Sequence, residues 1–242
     1  MVLAGFGGGL VGSVAGLASL VSYPALLAAG LPPVSANVSN TVALVFGGVG
    51  SVSGSVVELR GQRVHARRLG AIAVAGGICG GGLLLATPSG AFVRIVPWLV
   101  AGASVAILIR RAPGCPPPTE GHRPTWALSV GVFLVTVYGG YFGAAAGVLL
   151  LALLLTAGGE PLARSNAMKN LLLGLANAVA SVAFVAFGPV RWSAVLPLAI
   201  GFLLGGRVGP LVVRKAPAGP LRILIACAGL ALAVHLGLDA YR

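Results

Sequence analysis

No charged side chain interrupts the chain between Ala127 and Ala157. About 20 apolar residues already cross a bilayer as a helix, and a soluble domain has no use for a stretch of this length. Leu69 to Ala86 is likewise free of charge, and Ser193 to Val213 carries one arginine, Arg207. Only 8% of the 242 residues are charged and the mean hydropathy is +1.01, whereas a soluble domain carries roughly a quarter charged residues. The alternation of an outer-membrane barrel is missing. The chain therefore reads as an all-α, polytopic helical membrane protein.

The net charge of +12 follows from the same fact. The arginines cluster in short loops between apolar segments, where the positive-inside rule places them. Basic residues are not interleaved with aromatics, so no nucleic-acid partner is expected and the lipid bilayer is the surface in contact. Cys79, Cys115 and Cys227 lie far apart without a CxxC pair, so neither a metal site, a cofactor nor a disulfide framework is implied. Met1 to Leu20 lacks a basic start and contains several glycines, which fits a first membrane segment rather than a cleaved signal.

Apolar segments run over approximately 2–29, 34–57, 69–87, 91–109, 126–157, 162–187, 192–213 and 219–238, seven to eight in all depending on how the long ones fold. A Pro-rich linker at 110–125, expected on the cytoplasmic side, divides them into a first transmembrane repeat, 1–109, and a second, 126–242. Shifting the sequence by 129 residues sets Gly30 on Gly159, Pro32 on Pro161, Asn37 on Asn166, Asn40 on Lys169 and Thr41 on Asn170; a shift of 128 sets Gly12 on Gly140. Such matches at equivalent places mark a repeated unit.

Segments 2–29 and 126–157 are too long for one ordinary span and are rich in glycine, which costs about 1 kcal/mol per helical position relative to alanine. They read as broken helices or re-entrant hairpins, tolerated where loose backbone faces protein or water. If each enters and returns to the same side, most loop cations, including Arg60, Arg63, Arg67, Arg68, Arg110, Arg111 and Arg123, fall on one side. The halves then have opposite orientations, an inverted repeat.

Inverted repeats of this kind are common in transporters, which bind substrate near the midplane where broken helices meet. If a helix starts near Pro161, Lys169 lies about 12 Å along it at 1.5 Å per residue, near the centre of the bilayer, where charges face a polar cavity. Asn166, Lys169 and Asn170 in the second half, with Asn37, Asn40 and Thr41 in the first, are the candidate substrate-binding residues, able to replace an anion's hydration shell. Asn177 shares the second face. Ser51, Ser55 and Ser181 read instead as interhelical glue. Arg207 reads as a side chain snorkelling to the interface. Glu160 is placed to pair with Arg164 or Lys169 and is one of few groups that could carry a proton, while His65, His122 and His235 look incidental. The glycines at 76, 77, 80, 81 and 82, and at 201, 205, 206 and 209, read as helix-packing faces.

The segment Gly12 to Thr41, with Pro24-Ala25-Leu26-Leu27, Gly30-Leu31-Pro32-Pro33 and Ala36-Asn37, and its weaker copy from Gly140 to Asn170, resembles the TauE/SafE sulfite-exporter family. The resemblance implies seven or eight helices in two related halves, a multi-pass protein of the bacterial inner (plasma) membrane, and transport of sulfite, sulfonates or similar small anions. It also implies that both polar stretches line the permeation site. Ala144 to Gly147 and Ala152 depart from the usual glycines and proline of the second copy.

The expected function is therefore a secondary transporter, a permease or exporter, for a small sulfur oxyanion, with a homodimer allowed. A cation or metal-ion carrier would need carboxylates at membrane depth, and a non-transport assembly protein would bury Lys169 without a cavity. An enzyme is not expected, since no HExxH, GxSxG or buried Asp/His pair is present.

Overall fold

The computed structural model describes residues 1–109, 125–158 and 160–213, together with scattered positions between 227 and 240. Residues 110–124 and Gly159, most of the 219–238 segment, and the sequence features placed on them (Cys115, Arg123, Lys215, His235 among others) lie outside the described residues. The described residues form helices without strands: α1 (Val2–Ala15), α2 (Ala18–Ala28), α3 (Pro33–Gly54), α4 (Val56–Leu59), α5 (Arg63–Ala86), α6 (Ser89–Ile109), α7 (Thr125–Tyr141), α8 (Ala146–Gly158), α9 (Leu162–Phe187) and α10 (Trp192–Val213).

Three helices, Arg63–Ala86, Leu162–Phe187 and Trp192–Val212, are long and apolar enough to cross a membrane. α3 has 22 residues, about 33 Å, but its first turns bury Ser35, Asn37, Ser39, Asn40 and Thr41. α3 and α9 start alike. Pro32 and Pro161, with ψ of 148° and 151°, stand as N-caps in extended backbone, because a proline cannot supply the N–H of a preceding turn.

Segment 2–29 is broken at Gly16, whose φ of 76° is the left-handed conformation glycine adopts without strain. The chain then folds back: a Cβ on Gly12 or Gly8 would meet Ala18, and one on Gly7 would meet Val21. α1 and α2 thus form an antiparallel helical hairpin. Segment 126–157 does the same. Gly143 and Ala145 take φ of 73° and 57°, and Tyr138 Oη donates to the Ala144 carbonyl at 2.7 Å, fixing the turn. Gly131 then faces Leu153 and Gly139 faces Ala146, so α7 and α8 are again antiparallel.

Glycines set the packing, as their spacing predicts, except at Gly82, which is exposed on α5 with nothing within 4 Å of an added Cβ. Gly5 and Gly9 of α1 interlock with Gly201, Gly205 and Phe202 of α10, in parallel register. Gly76 and Gly80 of α5 receive Thr136, Val137 and Gly140 of α7 in the same way, while Gly77 and Gly81 approach Ala176 and Ala180 of α9. In membranes such close approach replaces the hydrophobic drive that lipid removes. The second face of α10 packs on α3, with Gly50 and Gly54 against Leu203 and Arg207.

α3 and α9 cross at Gly48 and Gly174, and Ser181 Oγ donates to the Thr41 carbonyl at 3.3 Å. Position numbers fall along one helix as they rise along the other, so the two run antiparallel. α1, α3 and α10 therefore share one direction, and α5, α7 and α9 the other. The outer faces carry Leu196, Ile200, Leu204 and Leu211 of α10 and Val182 and Val185 of α9 exposed, as a lipid-facing surface requires.

Candidate functional site

The two hairpin tips meet at the centre of the molecule. Gly16 and Gly147 are in backbone contact, so close that a Cβ on either would overlap the other. Beside them lies a cavity of about 70 Å³, lined from both halves by Ser13, Gly16, Ala18 and Ser19 of the first hairpin, Gly143, Ala146 and Gly147 of the second, Ser51 of α3, and Asn170 and Asn177 of α9. About 10–15 Å³ suffices for one water, so the space admits a small ion stripped of most of its hydration.

Each helix break leaves two ends at this place, and the ends are treated differently. The last carbonyls of a helix have no intrahelical donor. At the end of α1, Ser13 O accepts from Asn166 Nδ2 at 3.0 Å, from Lys169 Nζ at 3.1 Å and from Asn170 Nδ2 at 3.4 Å; Lys169 also donates to Gly12 O at 3.2 Å. At the end of α7, Tyr141 O accepts from Asn37 Nδ2 at 2.9 Å. Both negative helix ends are thus covered by side-chain donors, the lysine amine among them. The starts of α2 and α8 lie against the cavity with Ala18, Ser19, Ala146 and Gly147 in their first turns, where the macrodipole is positive. Ala146 N donates to Gly143 O at 3.2 Å, which leaves the N–H groups of Ala18, Ser19 and Gly147 without a backbone acceptor among the described residues.

The first polar stretch acts through serines. Asn40 Nδ2 donates to Ser19 Oγ at 3.2 Å, and Ser22 Oγ donates to Asn40 Oδ1 at 2.6 Å. Ser19 accepts from behind, which leaves its O–H to donate. Ser13 Oγ lies 3.5 Å from Asn170 Nδ2, a long contact, in the corresponding place beside α1. Thr41 Oγ1 donates to its own helix at Asn37 O, 3.0 Å.

Of the six residues the sequence singles out, Asn170 lines the cavity. Asn37, Asn40, Thr41, Asn166 and Lys169 are buried behind its wall, each at most 2% exposed, and all but Thr41 grip the hairpins. Ser13 and Ser19 are not among those six, and their signal in the sequence is their position three residues either side of the Gly16 break. Ser181 makes the interhelical bond expected of glue. Glu160 pairs with Arg164 at 3.0 Å, both side chains about 40% exposed, and not with Lys169. Arg207 is exposed on α10. Among the described residues no group of His, Cys, Asp and Glu is arranged to hold a metal ion.

The description "Sulfite exporter TauE/SafE" matches residues 1–236. This chain belongs to the TauE/SafE family. TauE/SafE relatives include the Sinorhizobium protein named probable membrane transporter protein ORF9, 26% identical over 247 residues, covering 99% of this chain and 92% of that one. The Escherichia coli K12 protein named probable membrane transporter protein YfcA is 26% identical, covering 96% and 87%. A Haemophilus influenzae protein, also named a probable membrane transporter protein, is 25% identical over 86% and 82%. No solved structure matches the chain. As a TauE/SafE protein with apolar spanning helices, it is a membrane transporter.

Proposed function

We propose that this TauE/SafE transporter carries a small anion, of the sulfite or sulfonate class, as a secondary transporter of the bacterial inner membrane. The supporting observation is the unequal treatment of the four helix ends at the tips. Donors from α3 and α9 cover the carbonyl ends of α1 and α7, while the N–H ends of α2 and α8 border a cavity whose described lining holds no carboxylate. Helix N-termini and hydroxyl donors are an anion's environment. Lys169 adds one positive charge a single residue layer behind, where the low dielectric lets it act over that distance.

Within this reading Asn170, Asn177, Ser13, Ser19 and Ser51 touch the substrate. Asn37, Asn40, Thr41, Asn166 and Lys169 position the hairpins and set the field. The first-half and second-half assignments, 1–109 and 126–242, are read as inverted repeats. The antiparallel course of α3 and α9 supports this, as does the exchange by which α1 packs on α10 and α7 on α5. With loop 60–63 and Arg67 and Arg68 cytoplasmic, each hairpin enters from its own side and returns to it. Alternating access is then movement of the tips past Gly16–Gly147, one side at a time. A cation carrier would use the carbonyls of Gly12 and Ser13 as ligands, and the Lys169 ammonium already occupies them.

The test is flux of sulfite, sulfate and an alkyl sulfonate in proteoliposomes, with wild type beside Lys169→Met. Gly12 O keeps its bond from Gly16 N and Ser13 O keeps Asn166, so the variant folds. Wild type moves at least one sulfur oxyanion, and the variant loses tenfold or more of that flux. Absence of flux for every anion in wild type, or full flux in the folded variant, overturns the proposal.

A further inference from the structure

A second cavity, about 530 Å³ and open to the outside of the bundle, lies between α5 and α9. Its upper rim is Arg63 and Arg67, one turn apart at the start of α5; its floor and far wall are Ala66, Gly70, Leu171 and Leu175. Gly70 is what makes room, since a Cβ there would sit 3.2 Å from Leu175 Cδ1. Volumes of about 300–1,000 Å³ are typical of bound small molecules. The groove belongs to neither hairpin and plays no part in the transport site.

Two features decide its occupant. The groove opens on the lipid-facing side of two helices long and apolar enough to span, so what fills it has an apolar body. Its rim carries two guanidiniums, and neither has a carboxylate partner among the described residues. An acyl chain against Leu171 and Leu175 with an anionic headgroup at the rim satisfies both. Guanidinium–phosphate contacts are charge-assisted and bidentate, and basic pockets between spanning helices on the cytoplasmic side are where anionic lipid headgroups bind.

Comparison of the halves adds an independent point. Under the repeat shift of 129, Gly76 matches Gly205, and each packs on the first hairpin helix of the other half. Arg63 then corresponds to Trp192, Arg67 to Leu196 and Gly70 to the buried Ala199. The second half therefore replaces a charged, glycine-floored groove with apolar side chains and an alanine.

We propose that the α5–α9 groove binds an anionic phospholipid of the cytoplasmic leaflet, its phosphate held by Arg63 and Arg67. The experiment exposes the full-length purified protein to equal phosphatidylglycerol and phosphatidylcholine and measures retained lipid by native mass spectrometry. Variants are the double substitution Arg63→Gln with Arg67→Gln, and Arg68→Gln, which removes a neighbouring charge outside the groove. Wild type and Arg68→Gln retain phosphatidylglycerol preferentially, and the double variant loses that preference by about tenfold or more, at roughly 1 kcal/mol per arginine. Gly70→Leu, which fills the floor and leaves both arginines, gives the same loss and serves if the double variant does not fold. Undiminished preference in the groove variants, or an equal loss in Arg68→Gln, overturns the proposal.

Discussion

Gly16 and Gly147 touch backbone to backbone, at the tips of hairpins that belong to different halves of the chain. Everything that distinguishes the central cavity depends on this contact. It brings two helix starts and two helix ends within reach of one small space, and it leaves no volume for a side chain on either residue.

Gly16→Ala is therefore expected to be severe and Gly30→Ala mild. Both glycines have φ near 80°, where a Cβ costs about 1–2 kcal/mol. Gly30 has nothing within 4 Å of the added atom, while Gly16 meets the Gly147 backbone. Thermal unfolding in detergent checks the pair, and equal losses of stability would contradict the tip contact.

Asn37→Ala should cost more stability than Asn166→Ala, although the two asparagines make equivalent bonds. Tyr141 O takes its side-chain donor from Asn37, and loss of a donor to a buried carbonyl costs about 1–3 kcal/mol. Ser13 O keeps Lys169 after Asn166 is removed. The reverse order of unfolding temperatures would count against the capping argument.

Ser19→Ala should fold with a stability loss of about 1–3 kcal/mol, because the buried Asn40 Nδ2 loses its acceptor, and should raise the KM for the transported anion about fivefold, the value of one net hydrogen bond of about 1 kcal/mol. Concentration-dependent flux measures it. An unchanged KM would remove Ser19 from the substrate contacts.

Glu160→Gln should change neither flux nor stability appreciably. Its partner Arg164 is as exposed as it is, and exposed pairs contribute about 0–1 kcal/mol. Proton-driven flux lost in this variant would restore Glu160 as a carrier of the coupling proton.

The breaks, the glycine faces and the polar stretches were legible in the sequence because each is local. Glycine at positive φ, small residues four apart and amides in an apolar run announce themselves within a few residues. What Asn37 and Lys169 do was not legible. Their partners, Tyr141 O and the carbonyls of Gly12 and Ser13, are backbone atoms more than a hundred residues away, and backbone leaves no signature in composition. For the same reason Ser13 and Ser19 escaped notice, since only the fold-back at Gly16 turns both toward one space. The second tip turns at 142–145 with Ala145 at positive φ, a conformation that no residue type there foretells.

The pairing of α1 with α10 also imposes a schedule on synthesis. The glycine seam of α1, Gly5 and Gly9, is made first, and its partner Gly201–Gly205 emerges nearly 200 residues later. At about 5–20 residues per second, the first hairpin waits roughly 10–40 s in the translocon's vicinity with its seam bare. During that interval it is the natural client of an insertase or membrane chaperone, and a slow stretch of codons before Trp192 would lengthen its exposure.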